Sequence, residues 1–261
     1  MSGGFDLFFD YFARRDNRLR RFDPRVKMGV VAALFAAILL STRPPLPAMV
    51  SVVALGSLLL IGIPLGLIGR RLLAPLGIVI ALVLIQGLLV GETVLAAFPV
   101  AGWEVALHRE GLVRGAGMAL RVWGAFSVLL LFSAVTPAHE MFRALRWCRM
   151  PHLWVEIAML VYRYIFVLLE EASEMVAAQR VRLGYAGFGN GLRSAGTLTG
   201  AVVVRAMEQS LRTHEAMVAR GYTDVFPFGP LPPMGRRAWG ALAGVVAVVG
   251  ILYWFLERGL A

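Results

Sequence analysis

Up to about residue 136 the chain alternates long apolar runs with short charged or prolyl breaks. The texture then becomes mixed, and a last apolar run closes the sequence. The first run, about Met28 to Ser41, meets a hard stop at Arg43-Pro44-Pro45-Leu46-Pro47, and a second covers about Ala48 to Ile68. Both are near the ~20 residues that a membrane span requires and predict a helical hairpin. Asp23-Pro24-Arg25 lengthens its first member: Asp23 can cap free backbone N–H groups, and Pro24 suits a first helical position. Gly69-Arg70-Arg71 reads as a short basic loop. A third span is expected from about Leu72 to Ala96, carrying Pro75, Gln86 and Glu92. Residues 99–114 read as a polar loop with an interfacial Trp103. The fourth span, about Leu112 to Val135, holds Arg114, which can snorkel, and Arg121, which lies deeper and needs a partner.

Beyond Thr136-Pro137 the pattern changes. Residues 137–151 alternate Met141, Phe142, Leu145 and Trp147 with Arg143, Arg146 and Arg149, a basic amphipathic helix bounded by prolines. Residues 153–183 predict one long helix. Its first half is apolar enough to enter the membrane or pack under it, and its second half faces water. Gly184 to Gly191 is a glycine-rich break. The next helix, about Leu192 to Arg220, carries Val203, Met207, Leu211, His214 and Val218 on one stripe, with Arg205, Glu208, Arg212 and Glu215 in helical register beside it. Residues 222–237 form a Pro/Gly linker, and Ala238 to Leu256 is the last span. Residues 5–12, FDLFFDYF, suit either a short interfacial element or a tail.

Composition agrees with this membrane pattern. The chain is 59% hydrophobic and 16% charged, where a soluble domain carries about 25% charged residues. Its mean hydropathy is +0.73. Of 26 basic residues all but Lys27 are arginine. Seven lie in the N-terminal tail, two in the 69–71 loop and twelve in 136–237, against five elsewhere. The positive-inside rule therefore places those three regions in the cytoplasm, so that the net charge of +10 reports sidedness, not nucleic acid. The reading is an all-α polytopic membrane protein with about five transmembrane helices and a cytoplasmic amphipathic helical coupling region. Residues 1–135 hold the tail and four spans, 136–237 the cytoplasmic coupling helices, and 238–261 the last span.

Catalytic chemistry is sparse. His108, His139, His152 and His214 are scattered, Cys148 stands alone, and no HExxH, GxSxG or Walker A loop is present. No catalytic, cofactor-binding or metal-ligating set is expected in this chain. Glu170, Glu171 and Glu174 read as a solvated helix face, and His214 as a packed residue. What remains is a pair of helix ends on parallel sections of one insert. The first contains Arg180, Arg182 and Gly184; the second is Ala219-Arg220-Gly221. Arginine in a last turn complements the helix dipole, and glycine just beyond is a common cap. Two such ends together present planar, multiply donating guanidinium groups to an acidic or carbonyl-lined groove.

The segments FDPRVKM (22–28), Thr136-Pro137 followed by FRALRWCRMP, Tyr162-Arg163-Tyr164 before Glu170-Glu171, and AMVARGY (216–222) occur in one order. On them the chain resembles, over nearly its whole length, the T component of energy-coupling factor (ECF) transporters. Its length and its RVRLGY variant look most like the cobalt-type branch, CbiQ. The resemblance implies a scaffold linking two cytoplasmic ABC ATPase subunits to a membrane S component that binds the substrate. Arg182 and Arg220 would be the coupling residues, beside Gly184, Ala219 and Gly221, with Arg180 as the alternative in the first motif. Asp23, Pro24 and Arg25 would be structural or interface residues. ATP would be bound by the partners, and cobalt, nickel or a vitamin by the S component. The implied location is the bacterial inner membrane, multi-pass, with a cytoplasmic N-terminus. A membrane-embedded enzyme using Gln86, Glu92 and Arg121, and a self-contained carrier, are the rival classes.

Overall fold

A computed structural model describes residues 22–91, 93–100, 103–148, 150–222 and 234–258. The tail element at 5–12 and most of the linker at 222–237 lie outside the described residues. Among the described residues are nine helices and one two-stranded hairpin. The helices are α1 (Pro24–Leu40), α2 (Pro45–Leu60), α3 (Leu65–Leu72), α4 (Leu76–Leu89), α5 (Arg109–Val135), α6 (Ala138–Trp147), α7 (His152–Val181), α8 (Phe188–Ala219) and α9 (Arg236–Arg258); the strands are β1 (Val94–Val100) and β2 (Trp103–His108). The chain divides into two compact units, residues 1–144 with 233–261, and residues 145–232.

In the first unit, local chemistry sets the helix starts. Asp23 caps α1 by accepting from the Arg25 N–H at 3.0 Å, with Pro24 at the first helical position. The second apolar run does not continue to Ile68. α2 ends at Leu60, and Gly62 at φ +85° with Pro64 turns the chain into α3. Arg70 and Arg71, expected in a loop, are the last turn of α3, where their charge favours the helix C-terminus. α3 and α4 are bent by 43° across Pro75 and together have the length and composition of a broken span or a re-entrant loop. The expected third span also stops early. After Gly91 the chain pairs antiparallel as β1 and β2, with Phe98 opposite Val105, and the expected polar loop is largely this hairpin.

α5 is the centre of the first unit. A Cβ at Gly111 would overlap the Gln86 and Val90 carbonyl oxygens of α4, and one at Gly124 would lie 2.9 Å from the Pro47 oxygen of α2. Apolar helices in lipid gain little from excluding water, so glycines that let backbones approach supply contact instead. The core around them holds Ile38, Leu46, Ala54 and Val128, and a second cluster of Leu58, Ile63, Ile68, Leu130 and Ala134.

Polar groups close one end of this unit. Arg121 finds the partner its depth requires, donating to the Thr42 carbonyl at 3.0 Å. Glu257 accepts from Ser41 Oγ at 2.7 Å, Thr42 N at 2.8 Å, Arg43 N at 3.2 Å and Thr42 Oγ1. Tyr253 donates to the Leu40 carbonyl at 3.3 Å.

Among the described residues α5, α7 and α9 are each long and apolar enough to cross a membrane, with a fourth such span if the bent α3–α4 pair crosses as one. α2 is a shorter apolar helix of 16 residues, and α1, of 17, packs in the core beside it. The protein is thus all-α in architecture and multi-pass, in rough agreement with about five spans drawn at different boundaries. α7, assigned to the polar insert, itself has the length and composition of a span.

Candidate functional site

The second unit is a helical hairpin. Tyr164 on α7 meets Thr213 on α8 through their hydroxyls at 2.6 Å, Glu156 accepts from Tyr222 at 3.3 Å, and Gln179 Nε2 donates to the Ser194 carbonyl at 3.1 Å. Rising positions on one helix pair with falling positions on the other, so the helices are antiparallel. This corrects the expectation of parallel sections. The two arginine-bearing ends lie at opposite ends of the hairpin, separated by the 32 residues of α8, or about 48 Å at 1.5 Å per residue.

The two ends share one backbone geometry. Arg182 caps α7 at φ −85°, ψ 14°, and Arg220 caps α8 at φ −90°, ψ 7°. After Arg182, Leu183 N donates to the Arg180 carbonyl at 3.1 Å and Gly184 N to the Gln179 carbonyl at 2.8 Å. After Arg220, Gly221 N donates to the Val218 carbonyl and Tyr222 N to the Met217 carbonyl, both at 3.0 Å. Each is a complete Schellman closure, which satisfies two of the four free carbonyls at its helix end. Arg182 therefore occupies the position of Arg220. Arg180, two residues earlier, is turned ~200° around the helix. All three arginines, Ala219 and Gly221 are exposed, and Gly184 is half-buried.

Gly184 is not the residue that adopts the left-handed conformation. That residue is Leu183, at φ +57°, while at the other end Gly221 takes φ +78°. Gly184 serves close approach instead. A Cβ there would lie 2.7 Å from Ser194 Oγ, which donates to the Gly184 carbonyl at 2.8 Å. The break between helices is also shorter than the glycine pattern suggests, because α8 begins at Phe188 and takes Gly189 and Gly191 into its first turns.

Sequence reasoning left two arginines out of the site. Arg163, Arg212 and Arg220 line one cavity of about 290 Å³ between α7 and α8, together with Tyr164, Gln209 and Thr213. Among the described residues no carboxylate lines it. Arg212 also meets Glu208 at 3.4 Å, but both side chains are well exposed and the pair contributes little. The helical register of Arg212, Tyr164 and Thr213 is visible in sequence; their convergence needs the antiparallel pairing.

The same hairpin carries a larger groove of about 430 Å³, walled by Leu153, Leu160, Val161 and Met217, with buried Glu156 at one end. His214 is exposed on its rim, not packed. The α8 stripe of Val203, Met207, Leu211 and Val218 is exposed throughout. α8 has no buried residue, so its apolar face is uncovered within the unit.

In the first unit, Asp23, Pro24 and Arg25 form the start of α1, with Arg25 buried. Beside them Lys27 reaches across to the end of α5. Gln86 and Arg121, two of the rival enzyme's three groups, have separate partners, Met118 and Thr42; Glu92 lies outside the described residues. Among the described residues no group of three or more His, Cys, Asp or Glu could hold a metal ion.

Long apolar helices and a glycine-packed bundle define a multi-pass membrane protein. The chain belongs to the CbiQ family of cobalt transport proteins, whose model matches residues 15–227. It is 30% identical over 209 residues to an uncharacterized protein of Methanocaldococcus jannaschii, covering 79% of this chain and 77% of that one. It is 33% identical over 118 residues to the cobalt transport protein CbiQ of Rhodobacter capsulatus, covering 45% and 48%. A putative fused cobalt transport protein CbiMQ of Methanocorpusculum labreanum is 28% identical over 196 residues, 72% of this chain and 32% of its own length.

Proposed function

We propose that this chain is the transmembrane coupling subunit of an ATP-driven ECF importer. Two cytoplasmic ABC ATPase subunits dock on the hairpin, one on the Arg182 end and one on the Arg220 end. ATP is bound by those partners, and this chain carries no cofactor of its own. The observation that carries the reading is the repeated cap. One hairpin presents the same Arg-tipped helix end twice, about 48 Å apart by its helix length, a spacing suited to two partner chains and not to one active site. Arg163 and Arg212 extend the Arg220 end into a cup for a carboxylate or a row of carbonyls.

In this reading residues 1–135 and 238–261 are the membrane scaffold and 136–237 the coupling region, with the N-terminus in the cytoplasm and the protein in the cytoplasmic membrane. Closure of the ATPases moves the two helix ends, and the exposed apolar stripe of α8 passes that movement to an S component that holds the substrate. The substrate is cobalt, in keeping with the family.

The test is uptake of radiolabelled cobalt by proteoliposomes holding the complete complex. Replacing Arg182 and Arg220 together by alanine should abolish ATP-driven uptake while substrate binding by the S component persists. Undiminished uptake in that variant would sink the proposal, as would uptake by this chain alone in liposomes. Competition by nickel or by a vitamin in the same assay decides the cargo.

A further inference from the structure

The join between α5 and α6 is pinned by the sole lysine in the chain. Lys27 sits in the first turn of α1, its side chain 9% exposed. Its ammonium donates to the Val135 carbonyl at 3.3 Å, in the last turn of α5, and lies 3.8 Å from Glu140 Oε2, in the first turn of α6. One compact charge thus meets the negative end of one helix and a carboxylate on the next. A guanidinium fork is broad and planar, whereas an ammonium is a point charge with three rotatable donors, which suits this three-way meeting. Between the helices, Pro137 is fully buried and the Thr136 hydroxyl is buried with no hydrogen-bond partner among the described residues.

The ion pair is unevenly made. At 3.8 Å it is an electrostatic contact and not a hydrogen bond, and among the described residues no donor reaches the buried Glu140 Oε2. A closure of about 1 Å would convert it into a charge-assisted hydrogen bond. α6 is also the helix within which the two compact units meet in sequence, between Ala144 and Leu145.

We infer that Lys27 is a positioning residue for transport: its bonds to Val135 and Glu140 set the angle at which α6 leaves the α1–α5 bundle. The ion pair tightens as α6 swings toward α1 and loosens as it swings away. The role in transport rests on the coupling function proposed above; the role in geometry does not.

The experiment has two arms. In the first, spin labels at Ala32→Cys on α1 and Arg143→Cys on α6, in a Cys148→Ser background, report the distance between the helices in the isolated, reconstituted chain. Lys27→Met should broaden that distance distribution, and Lys27→Arg, which keeps the charge but not the compact head, should narrow it only in part. An unchanged distribution in Lys27→Met overturns the inference. The second arm measures cobalt uptake per ATP hydrolysed by the complete complex. Lys27→Met and Glu140→Gln should each lower it by about three- to tenfold, and the double variant should be no worse than Lys27→Met alone. Additive losses overturn the shared role of the pair. A broadened distance with an unaltered ratio also overturns it as a transport element, while the coupling function stands or falls on the Arg182 and Arg220 variants. Glu140→Gln, which leaves the Val135 bond in place, keeps both arms readable where Lys27→Met folds poorly.

Discussion

The ends of α7 and α8 have the same backbone and reach it with different residues. At the α8 end glycine occupies the left-handed position, so the cap is nearly free of strain. At the α7 end Leu183 occupies it, at a cost of about 1–2 kcal/mol. A side-chain network offsets that cost. Gln179 Nε2 donates to the Ser194 carbonyl, Tyr185 donates to Gln179 Oε1 at 2.7 Å, and Ser194 holds the Gly184 carbonyl. The α8 end has instead the Tyr222–Glu156 bond and the arginine cup. Equal geometry reached by unequal means makes the backbone of the arginine-bearing cap, and not its local sequence, the property the two ends share.

The comparison breaks most readily at the arginines. Under the proposed coupling function, reversing charge at Arg182 or Arg220 should each weaken docking of the partner by about 2–5 kcal/mol, read as ATPase subunits retained on the solubilised complex. Reversal at Arg180 should cost less than about 1 kcal/mol. Equal losses at Arg180 and Arg182 would end the equivalence of the two caps. The glycines sharpen it further. Gly184→Ala should destabilise the turn by about 1–3 kcal/mol through the clash with Ser194, and Ser194→Ala in the same chain should recover part of it, as seen in amide exchange of residues 182–186. Gly221→Ala should cost about 1 kcal/mol, with no second-site change at Ser194 able to relieve it. Smallest is a gain. Leu183→Gly should stabilise the α7 end by about 0.5–1 kcal/mol, visible as slower exchange at Gly184 and unchanged exchange at Tyr222.

Much of this was legible in the sequence, and the failures have physical causes. Asp23-Pro24 marked the start of α1 because capping acts over two residues. Arg182 and Arg220 stood out only because two helix ends repeat one pattern, since arginine in a last turn with glycine just beyond is an ordinary way to end a helix. Arg70-Arg71 misled because basic pairs beside apolar runs resemble loops, although they also suit a helix end. β1 was hidden in an apolar run, VLAAFPV, which lacks the alternation that separates strand from helix. Arg163 and Arg212 joined the site only through the antiparallel hairpin, and Lys27 meets Glu140 from 113 positions away. Pairings of that kind carry no local periodicity.

The bond set around Glu257 bears on how the protein is made. Ser41, Thr42 and Arg43 emerge early from the ribosome, and their acceptor follows 214 to 216 residues later. At 5–20 residues per second that interval is roughly ten to forty seconds of translation. Throughout it Ser41 Oγ has only its local acceptor, the Arg43 carbonyl, while the Thr42 and Arg43 N–H groups lack the carboxylate that later receives them. The join between α1 and α2 is thus closed only after α9 has been made, and a chain stalled before Glu257 leaves it unclosed.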